Sequence, residues 1–189
     1  MELTNIKARM QSAWPVSTGS FEKFQKLLSP CSFPKRHRLV EAGRRCREAF
    51  FIEKGITRSF WVVDGEEITT SFSEDGAIVF SMDELYYNRM SEEFVETLEP
   101  VKAFSIRIDE LRKLFAENIE FANWGRIIHQ NEYRRLHRSH KERLTLAAKE
   151  RYIEFQSQFP EICRRAQLKY IASYLGITPS TLSRIRKTL

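Results

Sequence analysis

Thr178, Ser180, Thr181, Ser183, Arg184, Arg186 and Lys187 fall within one decapeptide, Thr-Pro-Ser-Thr-Leu-Ser-Arg-Ile-Arg-Lys. At 100° per residue on a helix, Leu182, Ile185 and Leu189 gather on one face. Ser180, Ser183, Arg184 and Lys187 lie opposite, with Thr181 and Arg186 on the flanks. Short hydroxyls let a helix backbone approach a duplex, an arginine can bond O6 and N7 of guanine together, and flanking Thr, Arg and Lys suit phosphates. The chemistry this face offers is recognition of double-stranded DNA.

The residues before it say how such a face would be held. Leu168, Ile171, Ala172 and Leu175 form an i, i+3, i+4, i+7 stripe, and small Ala172 lets a crossing helix come close. Gly176 stops the helix where a left-handed residue is needed. Thr178 is a good N-cap, Pro179 suits the first helical position, and Ile177 with Leu182 occupies the two places of a hydrophobic staple. A helix, a short turn with glycine and a second helix from Pro179 make a helix-turn-helix. The same arrangement also occurs as plain packing in α proteins.

Charge separates the two readings. Residues 1–125 hold 17 Lys+Arg against 20 Asp+Glu, a net of −3, whereas residues 126–189 hold 14 against 5, a net of +9. The overall +6 therefore belongs to the last third, where it attracts polyanions such as nucleic acid. Other chemistry finds no foothold. Cys31, Cys46 and Cys163 stand apart without CxxC spacing, so neither a disulfide framework nor a zinc site is indicated. His37 is isolated, and His129, His137 and His140 lie among basic residues, so no metal is expected. No GxSxG, HExxH or GxxxxGK[ST] string occurs, and no catalytic residue is assigned: the chain reads as a non-enzyme.

The elements that would position these residues differ in texture along the 189-residue chain. Phe21, Phe24, Leu27 and Leu28 predict a short helix over 20–28, stopped by Ser29-Pro30. From His37 to Ile108, short apolar or alternating runs punctuated by glycine predict about seven strands: Arg38–Glu41, Ala49–Glu53, Ile56–Val63, Glu67–Phe72, Ile78–Phe80, Phe94–Leu98 and Val101–Ile108. Asp64-Gly65 between two of them is a hairpin signal. A helix without proline is expected from Asp109 to about Arg138. It carries one apolar stripe of Phe121, Trp124, Gly125 and Ile128 and a second of Ile119, Ala122, Tyr133 and Leu136, with His129 between them. One stripe can cover the β domain and the other a two-fold mate, unless both enter one core. Ser139-His-Lys-Glu142 matches a capping box and predicts a break and restart. Phe159-Pro160 ends the next helix. No apolar run is long enough for a membrane span, and the N-terminus has none after a basic start, so no membrane association is expected and a cytoplasmic protein is.

This order, together with Phe50-Phe-Ile-Glu-Lys-Gly55-Ile-Thr-Arg58, Asp64-Gly-Glu-Glu-Ile-Thr-Thr-Ser-Phe72, Glu150-Arg-Tyr152 and above all Tyr170-Ile-Ala-Ser-Tyr-Leu-Gly-Ile-Thr-Pro-Ser-Thr-Leu-Ser-Arg-Ile-Arg186, resembles the Crp/Fnr superfamily of bacterial transcription regulators. The resemblance implies an α+β fold with three parts. These are a cyclic-nucleotide-binding-like antiparallel β roll of jelly-roll type over 1–115, a dimerisation helix and hinge over 116–140, and an all-α helix-turn-helix domain over 141–189. It implies a homodimer seam among Ile119, Ala122, Trp124, Ile128, Tyr133 and Leu136, a palindromic operator, and RNA polymerase as a further partner. Thr178, Ser180, Thr181 and Arg184 fall where family members meet DNA, and Arg184 where the family has its base-reading arginine. The effector pocket is expected around Phe80, Ser81, Met82, Arg89 and Ser91.

Departures from the family pattern narrow this picture. Phe80-Ser81 stands where cAMP-binding members have Gly-Glu, Arg89 is the one arginine in the loop, and Glu92, Glu93, Glu96 and Glu99 would repel a phosphate. Cyclic nucleotide is therefore not the expected cofactor, and none is assigned. Only residues 160–167 are available for the β wing, so a wingless or reduced domain is expected. The alternative from another class is a ligand-sensing or protein-interaction module whose helix-turn-helix no longer binds DNA.

Overall fold

The computed structural model describes residues 2–189. Two helices lead in, α1 (Thr4–Ala13) and α2 (Thr18–Gln25). Eight strands follow: β1 (Ser29–Phe33), β2 (Arg38–Val40), β3 (Glu48–Lys54), β4 (Thr57–Val63), β5 (Glu66–Ser73), β6 (Ile78–Val79), β7 (Phe94–Thr97) and β8 (Val101–Arg107), with α3 (Met82–Tyr87) between β6 and β7. They form two four-stranded antiparallel sheets, ordered β1-β8-β3-β6 and β2-β7-β4-β5. The expected β roll is present, and the seven expected strands correspond to β2 to β8. β1 was not anticipated, because Ser-Pro-Cys-Ser-Phe offers neither an apolar run nor clean alternation.

β3 shows why its sequence is a continuous apolar run. Phe50 and Ile52 face Leu39, Val40, Val79, Val95 and Val101 between the sheets. Ala49 and Phe51 face the helices, among Ile6, Met10, Phe24, Leu111, Phe121 and Trp124. A strand covered on both faces has no polar side to alternate with. A bulge at Glu53 sends its buried carboxylate to the start of α1, where it accepts from the N–H of Asn5 at 2.8 Å and of Ile6 at 3.2 Å. α1 has no side-chain cap of its own, so this long-range carboxylate satisfies N–H groups that would otherwise be orphaned. The Asp64-Gly65 turn joins β4 and β5 with both φ angles positive, 52° and 82°, as a two-residue hairpin requires. Gly55 turns β3 into β4 at φ +127°, and a Cβ there would meet Val101 Cγ2 at 2.7 Å.

The helical half departs from the expected single helix in two places. It is divided into α4 (Ile108–Glu117) and α5 (Ile119–Thr145) at Asn118. The Asn118 side chain accepts from the N–H of Glu120 at 3.0 Å and Phe121 at 3.2 Å, so the asparagine is a cap rather than an interior residue. The break and restart expected at Ser139 is absent. α5 continues to Thr145, reinforced by an i,i+4 pair between Arg138 and Glu142 at 2.7 Å, and the expected boundary at 141 lies inside it. Then come α6 (Ala148–Gln158), α7 (Pro160–Arg165), α8 (Leu168–Leu175) and α9 (Pro179–Lys187). Phe159-Pro160 ends α6 as expected. The segment proposed for a reduced wing is helical, as α7.

The C-terminal helices share a core with the roll rather than owning one. Ile56, Phe72 and Leu98 from the strands pack with Tyr152, Phe155, Ile162, Tyr170, Ile171, Tyr174 and Leu182. Ser173 Oγ accepts from the Thr69 N–H at 2.9 Å and donates to the Glu67 carbonyl at 3.0 Å. Beside it, Arg58 is 1% exposed. Its Nε and Nη2 donate to Glu96 Oε1 at 2.8 and 2.7 Å, it pairs with Glu67, and its guanidinium lies 3.8 Å from the Tyr170 ring and 4.1 Å from the Phe60 ring. Arg165 of α7 pairs with Glu99 and, at 3.5 Å, with Asp75.

Two outcomes test this packing. Arg58→Ala leaves buried Glu96 with Arg38 alone, 3.5 Å away, and should lower stability by about 2–4 kcal/mol in denaturant titrations. Arg58→Met combined with Glu96→Leu, which removes both charges and keeps volume, should recover most of that loss. Glu93, on the loop before β7, is a half-buried carboxyl whose pKa is pushed up to about 7 by partial burial and then by Asp83 and Glu132. The folded state holds that proton more tightly than the unfolded chain, so the stabilisation is complete below the ordinary carboxylate pKa and is lost as pH rises through about 7. Glu93→Gln should therefore be more stable than the parent at pH 8, by about 1–3 kcal/mol, and match it near pH 4.

Candidate nucleic-acid interface and ligand cavity

α8 ends at Gly176, φ +66°, where the Ile177 N–H returns to the Ala172 carbonyl at 3.0 Å. The chain then re-enters a helix at Thr178. Thr178 Oγ1 accepts from the Thr181 N–H at 3.2 Å and lies 2.9 Å from both the Ser180 and Thr181 hydroxyls. Leu182 is fully buried and Ile177 and Ile185 pack with it, the staple and seam expected from the sequence. The two helices are thereby fixed at one short turn.

The opposite face of α9 is open. Thr178, Ser180, Arg184, Arg186 and Lys187 are exposed, and Thr181 and Ser183 are half-buried at its margin. Arg184 and Lys187 form no ion pair among the described residues, so their charge faces outward uncompensated. Arg186 is differently placed. It lies beside Tyr152, whose phenol burial pushes up and Arg186 pulls down.

The two stripes of α5 point different ways. Phe121, Trp124 and Gly125 are buried and Ile128 packs against the same core, with Gly125 close under Phe115 of α4: a Cβ there would stand 3.2 Å from its Cζ. Trp124 and Ile128, placed by the sequence with the dimer-seam residues, are thus inside the chain. Ile119, Tyr133 and Leu136 are 74%, 70% and 48% exposed, and Ala122 of the same stripe is half-buried. The β4–β5 hairpin exposes a further apolar set, Trp61, Val62, Val63 and Ile68.

A cavity of about 350 Å³ lies between the roll, α5 and the C-terminal helices. Its walls include Ser59 and Phe72 of the hairpin strands, Val79, Phe80 and Met82, Trp124, Ile128, His129, Glu132 and Arg135 of α5, and Phe159. Of the residues expected there, Phe80 and Met82 line it. Ser81 is buried and caps α3, accepting from the Glu84 N–H at 3.2 Å. Ser91 is buried in hydrogen bonds with Glu93 of its own loop, and Arg89 is exposed beyond the end of α3, outside the lining. The arginines that do reach α3 are Arg45 and Arg112, both paired with buried Glu84. His129 meets the Tyr86 hydroxyl. Burial holds the imidazole below its ordinary pKa and the phenol above its own. The inward stripe containing Trp124 and the intervening His129 are the sequence signals for this cavity.

Among the described residues, no group of three His, Cys, Asp or Glu side chains is placed to hold a metal ion, and no helix is long and apolar enough to cross a membrane.

Comparison with known proteins bears on this geometry. The family model "Cyclic nucleotide-binding domain" matches residues 30–118, and no curated protein matches the chain by sequence. Among solved structures, the chain is similar to the c-di-GMP-responsive global regulator CLP of Xanthomonas campestris, with 16% identity, coverage of 91% of each chain and a TM-score of 0.69. It is similar to FixK2 of Bradyrhizobium japonicum, with 17% identity, coverage of 86% of this chain and 84% of that one, and a TM-score of 0.72. A regulator assigned to the Crp/Fnr family from Eubacterium rectale aligns over 94% of this chain and 87% of its own, with 14% identity and a TM-score of 0.72. Residues 30–118 are thus similar to a cyclic nucleotide-binding domain, and they are built into a chain that has the fold of these three solved structures.

Proposed function

We propose that the protein is a transcription regulator that binds double-stranded DNA as a homodimer, laying α9 in successive major grooves of a palindromic operator. The carrying observation is the open face of α9, where Ser180, Arg184 and Lys187 are exposed at the outer end of a segment holding the chain's excess positive charge. Thr178, Ser180 and Thr181 stand at the helix N-terminus, which favours a phosphate. Arg184 has the reach and planarity for a guanine edge. The cavity beside α5 is the effector site in this reading, and neither a metal nor a catalytic step has a part in it.

The exposed stripe of Ile119, Tyr133 and Leu136 supports α5 as the two-fold seam, with Trp124 and Ile128 committed to the roll behind it. An isologous helix pair buries that stripe without disturbing the inward one. With Pro160–Arg165 helical rather than a β wing, the described residues offer each half-site fewer phosphate contacts, so affinity depends on both halves binding together.

Selection of bound duplexes from a random library should enrich a palindrome with half-sites about one helical turn apart. On that sequence Arg184→Ala should cost about 1–3 kcal/mol and relax base preference, while Lys187→Ala should weaken specific and random DNA alike and flatten the salt dependence. Equal losses on both kinds of DNA for both variants would remove the base-reading role from Arg184. A library that enriches nothing at moderate salt would favour a ligand-sensing or protein-interaction module instead. Tyr133→Glu with Leu136→Glu should yield a monomer in sedimentation and lower affinity for the full palindrome by about 100-fold.

A further inference from the structure

The cavity beside α5 is lined by two pairs of opposite charges, and the pairs differ in state. Glu132 and Arg135 are joined to each other, and Arg135 also donates to the Tyr174 hydroxyl at 3.0 Å. Arg9 of α1 and Glu74, the residue after β5, line the same cavity but form no ion pair with each other or with any other described residue. They are nevertheless neighbours. The stem of Arg9 lies over the turn that follows Glu74, so closely that a Cβ on Gly76 would meet Arg9 Cβ at 2.7 Å. Burial pushes the Glu74 carboxyl up and Arg9 pulls it back down, so the two charges sense each other across a gap that neither side chain closes. Arg165, which also acts on Glu74, is committed to Glu99 and Asp75.

An open cation beside an open anion restricts what fits between them. A lone carboxylate or phosphate would gain Arg9 and be repelled by Glu74, and a lone ammonium would meet the reverse. A group carrying both signs gains on both sides. The head of an α-amino acid is such a group, compact enough to bridge two neighbouring side chains. Ser73, next to Glu74 in the lining, adds a hydroxyl that can donate to the carboxylate end. Desolvation favours the same placement. Arg9 is exposed and Glu74 half-buried, so a charged head bound there keeps part of its water. The aromatic walls Phe72, Phe80 and Phe159 are buried or half-buried and suit an apolar side chain. About 350 Å³ is at the small end of the range for organic ligands, the scale of a single amino acid.

Resting on the reading of this cavity as the effector site, we propose that it takes a free α-amino acid with an apolar side chain, its carboxylate on Arg9, its ammonium on Glu74 and its side chain against Phe72, Phe80 and Phe159.

Chemical-shift titration of the ¹⁵N-labelled full-length protein with L-phenylalanine, L-leucine, L-methionine and L-tryptophan tests this. At least one should bind saturably, with a dissociation constant of about 1 mM or tighter. The analogues of the tightest binder that lack its ammonium or its carboxylate, 3-phenylpropionate and 2-phenylethylamine in the case of phenylalanine, should each bind about tenfold more weakly or worse. Arg9→Gln should remove the advantage of the amino acid over the amine, and Glu74→Gln its advantage over the acid. Both replacements keep most of the stem and break no ion pair, so they spare the fold. No saturable shift with any of the four amino acids overturns the proposal. So do analogues that bind as tightly as the amino acid, variants that leave its advantage intact, or saturation by cyclic AMP at lower concentration than any of the four. Duplex selection is run on ligand-free protein. Failure there with amino-acid binding intact counts against the regulator reading, whereas failure of amino-acid binding with selection intact removes this ligand class alone.

Discussion

A guanidinium cannot shed its proton inside a protein, and Arg58 is almost wholly enclosed. Its charge must therefore be answered where it lies, and the answer involves four elements of the fold. Glu96 on β7 and Glu67 on β5 supply carboxylates, Phe60 on β4 supplies one ring face, and Tyr170 on α8 supplies the other. A lysine could not stack between two rings and bond two carboxylates at once. The consequence is that α8, the first helix of the helix-turn-helix, is seated on the sheet rather than tethered to it by a linker. Ser173 continues the seat by bonding the backbone of Glu67 and Thr69, and Phe72 with Leu98 closes it with apolar contact.

That seat explains what could and could not be read from the chain. The helix-turn-helix was legible to the residue because its determinants are local: Gly176 must turn left-handed, Thr178 must cap, and Leu182 must point inward. The strands were legible for the same reason, since their ends are marked by glycines with positive φ at 43, 55, 65 and 76. What escaped was set by distant partners. α1 depends on Glu53, 47 and 48 residues away from the N–H groups it caps, and its own sequence carries little amphipathic signal. Asn118 reads as one polar residue in a helical stretch until its side chain is seen capping α5. Ser139-His-Lys-Glu142 has the letters of a capping box, but Glu142 is drawn to Arg138 and Gln158 instead, and the helix runs through.

The candidate site was partly legible on similar grounds. The polar face of α9 follows from angular placement, because a helix end at the surface has few neighbours to contradict it. The cavity does not, because its lining comes from α1, β4, β5, β6, α3, β7, α5 and Phe159, parts of the chain that no local pattern joins. Phe80 and Met82 were within reach of a reading based on the loop after β6. Arg89 was a reasonable expectation from residue type, but α3 ends in a left-handed Asn88 and carries the following arginine away from the cavity.

The cavity and α9 are physically continuous. Arg135 and Phe159 border the cavity, Arg135 donates to the Tyr174 hydroxyl, and Tyr174 packs on Phe155 and Phe159 in the core that holds Leu182 of α9. Continuity alone does not make a switch. An occupant alters the placement of α9 only by the difference between its affinities for the seated and unseated arrangements. A ligand touching only Trp124 and the roll would meet the same surface in both and shift nothing. One that also touches Phe159 or displaces Arg135 contacts groups that belong to the seat, and its binding free energy then differs between the two arrangements. The wall at Phe159 is therefore where ligand shape decides whether binding is silent or is felt at α9.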